Sequence, residues 1–399
     1  MKKIRTAFKK DPVLYISGIL AIISAFLVPP DTAYFSYIDF RVLALLFSLM
    51  CVMNGFQQIG FFQKLAVFVL SKTENTRQLA GVLVFLCFFM SMLITNDVSL
   101  ITFVPFTVLI LTITGQEKLM VFVIVLQTIA ANLGSMLTPI GNPQNLYLYS
   151  LSGMSFSGFL GIMLPYTLLS ALLLLLFLFL KPGEKVYLQE IFAETGPMRR
   201  RPLITYTLLF FLCLGCVLHL ICWQAVLVIV TVVLLFTDRG LLRRADYGLL
   251  ATFVFFFIFI GNMGRLPVIV DLLRTVLSGH ELPVAILASQ GISNVPAAIL
   301  LSGFTKNYLP LLVGVNIGGL GTLIASLASL ISYKQYAQTP GCEKGRYLSH
   351  FTGLNLVFLA ALTCLALSFC RMGSVLFRRV AWQSLPPLSL HTYPCPRPH

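Results

Sequence analysis

Asn132-Leu-Gly134-Ser135-Met-Leu-Thr138-Pro139-Ile140 and Asn316-Ile-Gly318-Gly319-Leu-Gly-Thr322-Leu-Ile324 lie 184 residues apart and read alike. Asn132/Asn316, Gly134/Gly318, Thr138/Thr322 and Ile140/Ile324 are identical pairs. What precedes each stretch also repeats in order. Asp39-Phe40 opens an apolar run that ends near Asn54-Gly55, and Asp246-Tyr247 opens another that ends near Gly261-Asn262. A mildly amphipathic segment follows each, over 60–72 and 265–278. A long apolar run then breaks at a polar tip, Thr95-Asn96-Asp97 in one half and Ser293-Asn294-Val295 in the other. Four matched features in one order mark a duplicated unit.

The solvent of this fold follows from composition. Of 399 residues, 58% are hydrophobic and 11% charged, against roughly 45–50% and about 25% in soluble domains. Charges this sparse cannot cover a soluble surface, so the apolar excess needs lipid. A soluble enzyme, a disordered chain and a nucleic-acid-binding domain are excluded, although the net charge is +14. The expectation is an all-α polytopic protein of about 9–11 spans, at ~20 apolar residues per crossing. Met1 to Lys10 carries five Lys/Arg ahead of an apolar stretch, Val13 to Val28. Pro29-Pro30 follows without a small-residue cleavage site, so this reads as a retained first span rather than a removed signal.

The positive charge reports topology. With the N-terminus cytoplasmic and each hairpin entering and leaving on one side, the cytoplasmic segments are 1–12, 60–78, 115–118, 181–202, 238–247 and 333–349. They hold twenty Lys/Arg, against four (Arg41, Arg265, Arg274, Lys306) outside. The first hairpin, 79–114, then opens from the cytoplasm and the second, 283–304, from outside. Each reads as re-entrant, because irregular backbone at membrane depth must be buried in protein or line a cavity. The chain thus divides into a first repeat, 1–180, with a broken helix over 119–150; a cytoplasmic linker, 181–202; a second repeat, 203–370, with a broken helix over 309–332; and a Pro-rich tail, 371–399, that reads as disordered. Inverted repeats of this kind place a transport site at the midplane.

Asn96, Asp97 and Asn294 sit where helices begin. They suit N-capping, and a helix start in a cavity also aims N–H groups and the positive dipole end at a solute. No Lys or Arg lies deep in any run, so helix starts would have to hold an anionic or strongly polar solute. Asp97 is the one acidic residue placed deep in the bilayer, where a carboxylate marks an ion pathway. It reads either as a cap facing a watery vestibule or as a coupling-ion site, for Na⁺ with backbone carbonyls or for H⁺. Val295 stands at the matching position, so such a site is asymmetric. Thr138-Pro139-Ile140-Gly141-Asn142-Pro143-Gln144-Asn145 interrupts a span, its Pro and Gly freeing carbonyls and its Asn residues offering donors and acceptors. Gly318-Gly319-Leu-Gly-Thr322 does the same in the other half.

Other polar residues carry less. Cys213-x-x-Cys216 lies among Leu and Phe with no ligand cluster, so no metal site is expected there. His219 reads as a packed interfacial histidine and Gln127 as a cross-helix bond. No paired carboxylates, metal ligands or Ser/His arrangement share a depth, so enzyme chemistry is not expected, and no cofactor beyond a coupling ion.

Thr95-Asn96-Asp97-Val98 with Pro105, then Asn132-Leu-Gly134 and Pro139-Ile-Gly141-Asn142-Pro143-Gln144-Asn145, resemble the ion transporter superfamily, over about residues 13–370. That group includes arsenite permeases, sodium/proton antiporters of the D type and citrate-like divalent anion symporters. The resemblance implies that Thr95, Asn96, Ser293, Asn294 and the 138–145 and 318–322 stretches bind substrate and ion. It also implies a homodimer whose hairpin domains move against a scaffold. Asp97 and Val295 depart from the symmetric Ser-Asn-Thr tips of the carboxylate symporters, and the Asp after the first tip Asn resembles the arsenite permease and citrate/metal branches. The expected function is ion-coupled transport of a small anion or organic acid across a bacterial-type plasma membrane. Arsenite efflux or Na⁺/H⁺ antiport is the alternative.

Overall fold

Backbone polar groups in lipid must be satisfied within the chain, which favours helices. The computed structural model describes residues 12–185 and 200–372, and among these the regular structure is helical apart from one isolated bridge, Asn75 to Lys185. The first half holds α1 (Pro12–Leu27), the short α2 (Tyr34–Tyr37), α3 (Phe40–Gln58), α4 (Phe61–Leu70), α5 (Thr76–Ile94), α6 (Asn96–Ile113), α7 (Met120–Ser135), α8 (Pro143–Ser152) and α9 (Phe156–Phe179). The second holds α10 (Arg200–Val217), α11 (Trp223–Thr237), the short α12 (Arg239–Arg243), α13 (Tyr247–Met263), α14 (Pro267–Leu277), α15 (Glu281–Ile292), α16 (Asn294–Ser302), α17 (Tyr308–Ile317), α18 (Leu327–Ala337) and α19 (Lys344–Met372). The five Lys/Arg of Met1–Lys10, linker residues 186–199 and the tail beyond 372 lie outside the described residues.

Local chemistry sets several helix starts. Asp39 accepts from the Val42 N–H at 3.0 Å and Asp246 from the Leu249 N–H at 2.9 Å, so the carboxylates that open the two matched runs are N-caps. Asn75, Asn142 and Ser155 cap α5, α8 and α9 in the same way.

By length and composition, seven helical stretches among the described residues suit a membrane crossing: Phe40–Gln58, Thr76–Ile94, Asn96–Ile113, Glu117–Ser135, Phe156–Phe179, Arg200–Val217 and Lys344–Phe369. The pair α13–α14, bent by 104°, makes an eighth. Beside the 9–11 spans expected, the remaining apolar runs among the described residues form shorter helices, Val13–Leu27, Phe61–Leu70, Trp223–Thr237, Glu281–Ile292 and Tyr308–Ile317. The run 119–150 is divided into α7 and α8, and 309–332 into α17 and α18. The hairpins also differ in size. The arms α5 and α6 have 19 and 18 residues, each sufficient to cross, whereas α15 and α16 have 12 and 9, which at ~1.5 Å per residue fall well short of a ~30 Å core.

Burial separates centre from rim. The stretch Glu117–Ser135, most of it α7, is 83% buried, whereas α10 and α19 are 28% buried. Around α7 pack α5, α6, α9, α18 and α19. The halves interlock: α18 packs on α6, and α8 packs on α16 and α17. Outside this centre, α3 packs on α10 and α11, and α13 on α1.

Candidate functional site

The two hairpin tips share one backbone geometry. Thr95 has φ 73° and ψ 152°, and Ser293 has φ 73° and ψ 154°. Positive φ is uncommon for residues other than glycine and here reverses the chain within one residue. The helix start that follows is then held from outside. The Asn96 N–H donates to the Gly141 carbonyl at 3.1 Å, and the Asn294 N–H to the Ala325 carbonyl at 2.9 Å; positions 141 and 325 again differ by 184. Each tip Asn also accepts from the next backbone N–H, Asp97 at 3.0 Å and Val295 at 2.9 Å.

The matched threonines act alike. Thr138 Oγ1 donates to the Met92 carbonyl at 2.5 Å and Thr322 Oγ1 to the Gln290 carbonyl at 3.1 Å, each three residues before its tip. Close approach explains Gly134: a Cβ there would lie 2.1 Å from the Phe88 carbonyl oxygen. One on Gly141 would lie 2.0 Å from the Ser135 carbonyl oxygen.

Across the halves the polar side chains bond reciprocally. Asn132 Oδ1 accepts from Ser326 Oγ at 2.9 Å, and Asn132 Nδ2 donates to Ser329 Oγ at 3.4 Å. Its counterpart Asn316 accepts from Asn142 Nδ2 at 3.2 Å and donates to Asn145 Oδ1 at 2.7 Å. Ser326 and Ser329 are the 184-residue counterparts of Asn142 and Asn145, so both Asn residues make the same pair of bonds to the opposite half. Asn96 Nδ2 joins this network through Asn132 Oδ1 at 3.0 Å. Asn145 Nδ2 donates to the freed carbonyls of Ser135, Met136 and Thr138 at 3.1–3.3 Å.

A cavity of about 390 Å³ lies beside the first tip. Thr95, Asp97 and Asn142 line it, with Pro143, Asn54, Arg244 and Asp246 among its other walls and Ile331 from the second half. Asp97 is half-buried, whereas Arg244 and Asp246 are exposed at the α12–α13 corner. The residues singled out from sequence therefore fall into two groups. Thr95, Asp97 and Asn142 face the cavity. Asn96, Asn132, Asn145, Asn316, Ser293 and Asn294 are buried at or near the interlock, with Gly134, Pro139, Gly141, Gly318 and Gly319 buried among them. Thr322 is exposed, bonded to Gln290 rather than to the cavity wall.

Sequence reasoning passed over Gln290, Asn54 and Arg244. Gln290 Nε2 donates to the Gly318 and Leu320 carbonyls at 2.9 Å each, and its Oε1 accepts from the Thr322 N–H at 3.0 Å. It thereby satisfies the broken helix of the second half. A lone Gln three residues before a tip was the available signal. Arg244 had been counted as a topology charge alone. Gln127 bonds across helices as expected, to the Leu83 carbonyl and to Thr107. His219 packs on the Tyr149 ring with centroids 5.5 Å apart and pairs with Arg41.

Known proteins resemble this arrangement of residues over most of the chain. It is 35% identical to the uncharacterized transporter MJ0456 of Methanocaldococcus jannaschii, over 81% of this chain and 88% of that protein. It is 32% identical to the inner membrane protein YbiR of Escherichia coli, over 74% and 80%. A shorter match, 33% identical over 37% of this chain and 30% of the other, is to the silicon efflux transporter LSI3 of rice. The family described as citrate transporter matches residues 9–310. A helical membrane protein with this polar centre and these relatives is a transporter rather than an enzyme, and the chain belongs to the citrate transporter family.

Proposed function

We propose that this protein is an ion-coupled secondary transporter of a small organic-acid anion, of citrate or dicarboxylate type, built on inverted repeats. The observation that carries the reading is the cavity at the first hairpin tip, where Thr95, Asp97 and Asn142 face the same space. Asn142 and Thr95 offer polar contacts, and the start of α6 offers its dipole. Asp97 supplies a carboxylate for Na⁺ or H⁺. The cavity meets the α12–α13 corner, which the charge count places in the cytoplasm, so this conformation faces inward. Alternating access then moves the two hairpins with their broken helices, as one interlocked unit, against α3, α10, α11 and α13. The bacterial-type plasma membrane, the cytoplasmic N-terminus and a homodimer belong to the same reading.

The test is uptake of labelled citrate and dicarboxylates by purified protein in liposomes, under imposed Na⁺ and H⁺ gradients. Gradient-dependent uptake that Asn96→Ala and Asn294→Ala abolish, while both variants stay inserted, supports the proposal. Full transport by both variants removes the site assignment. Two carboxylates, Asp97 and Asp246, lining one cavity favour a second reading, arsenite efflux or Na⁺/H⁺ antiport. Arsenite or salt resistance conferred on a sensitive host, without carboxylate uptake, would establish it instead.

A further inference from the structure

Three arginines crowd the α12–α13 corner: Arg239, Arg243 and Arg244. In a cytoplasmic loop all three serve topology, but the fold treats them differently. Arg239 Nε turns back on the preceding helix, α11, and donates to the Leu235 carbonyl at 2.9 Å. Arg244 lines the cavity that holds Thr95, Asp97 and Asn142.

Arg244 is held there by amides. Its Nη1 donates to Gln58 Oε1 at 2.9 Å, and Gln58 Nε2 donates to Asp238 Oδ2 at 2.6 Å. Its carbonyl accepts from Asn54 Nδ2 at 3.1 Å, and Asn54 lies on the same wall. The ion pairs among the described residues are Arg265–Asp31 and Arg346–Glu343, so no described carboxylate comes within 4.0 Å of the Arg244 side chain. A guanidinium fixed by a neutral amide keeps its full charge and spare N–H donors for another acceptor. Its planar fork matches a carboxylate.

The rest of the cavity wall needs such a group. Asp97 and Asp246 line it as carboxyl groups, and by themselves they offer an anion no positive partner. We infer that Arg244 is the residue that selects an anionic solute, receiving a carboxylate of the substrate at the cavity mouth while Gln58 holds the guanidinium and Asn54 the backbone carbonyl in place. Asp246, two residues away on the same wall, tempers that attraction so that the solute is released. This inference rests on the organic-anion reading above.

Citrate uptake kinetics in liposomes test it with four proteins: wild type, R244Q, R244K and D246N. R244Q removes the charge and keeps donors, so KM for citrate should rise about tenfold or more with kcat little changed. R244K keeps a point charge without the fork, and its KM should lie between those of wild type and R244Q. D246N keeps the α13 cap, since Asn caps as well as Asp, and should lower KM. An unchanged KM in R244Q, or a loss confined to kcat, overturns the inference in favour of a structural latch. Should R244Q fail to insert, D246N decides: a fall in KM supports the proposal and an unchanged KM overturns it. Wild-type protein that takes up no carboxylate rejects the organic-anion reading itself, and this inference with it, a result distinct from a failure of the variants alone.

Discussion

Replacing Asn316 with alanine tests whether the interlock between the halves is energetically real. The substitution deletes three bonds: to Asn145 Oδ1 at 2.7 Å, to the Leu312 carbonyl at 2.8 Å and from Asn142 Nδ2 at 3.2 Å. The partners differ in what they lose. Asn142 Nδ2 keeps Ser135 Oγ at 3.3 Å, so its loss is partial. Asn145 is fully buried, and its Oδ1 loses the donor that satisfied it. An orphaned buried acceptor costs ~1–3 kcal/mol, and each ordinary bond lost about 1 kcal/mol, so N316A should destabilise by about 2–4 kcal/mol. The assay is reversible denaturant unfolding of the detergent-solubilised protein, run as a double-mutant cycle with N145A. Once Asn145 is gone there is no acceptor to orphan, so N145A/N316A should fall short of the summed single effects by about 1–3 kcal/mol. The reciprocal variant N132A should cost about as much as N316A: the Ser326 and Ser329 hydroxyls can rotate to other partners, but the buried Asn96 Nδ2 loses the Asn132 acceptor. Additivity within about 0.5 kcal/mol, the behaviour of independent sites, would refute the claim that Asn316 and Asn145 bind the halves together.

Other substitutions address the tip, the break and the rim. Gly141→Ala places a methyl 2.0 Å from the Ser135 carbonyl oxygen, so the break must open and the variant should lose both thermal stability and transport; a wild-type melting temperature would contradict the packing. Asp97→Asn should alter the Na⁺ or pH dependence of uptake while leaving the fold intact, since Asn also tolerates a helix start; an unchanged ion profile would reduce Asp97 to a cap. His219, at the α10–α11 turn, has its pKa pulled down by burial and then by the Arg41 charge. The folded state therefore favours the neutral ring. The stability this gives is present above pH 6.5 and is lost as pH falls below that value toward the lowered pKa. Melting temperature should thus drop on acidification through pH 6, and His219→Gln should flatten that slope; equal slopes would exclude His219 as the cause.

Much of the architecture was legible in one dimension because lipid is a simple solvent. It demands apolar surface and internally satisfied backbone, and both leave periodic, countable marks. The runs opened by Asp39 and Asp246, the interruptions at Thr95 and Ser293, and the Asn-x-Gly breaks all appear as punctuation in apolar text. The same punctuation does not give the length of each helix, since helix length depends on where carbonyls find outside donors. Gln290, which ties Gly318, Leu320 and Thr322 together, looks like any stray amide in the sequence.

The sequence by itself determined an all-helical membrane protein with Asn-rich breaks in its apolar runs, because hydrophobic content and helix punctuation are local properties. Tertiary structure alone decided which of those polar residues face a cavity and which face each other. Asn132 meeting Ser326, Asn316 meeting Asn145, and Arg244 meeting the space beside Asp97 are contacts between residues more than a hundred positions apart. Such pairings depend on how two halves dock, and docking is set by the summed packing of whole helices rather than by any short stretch of chain.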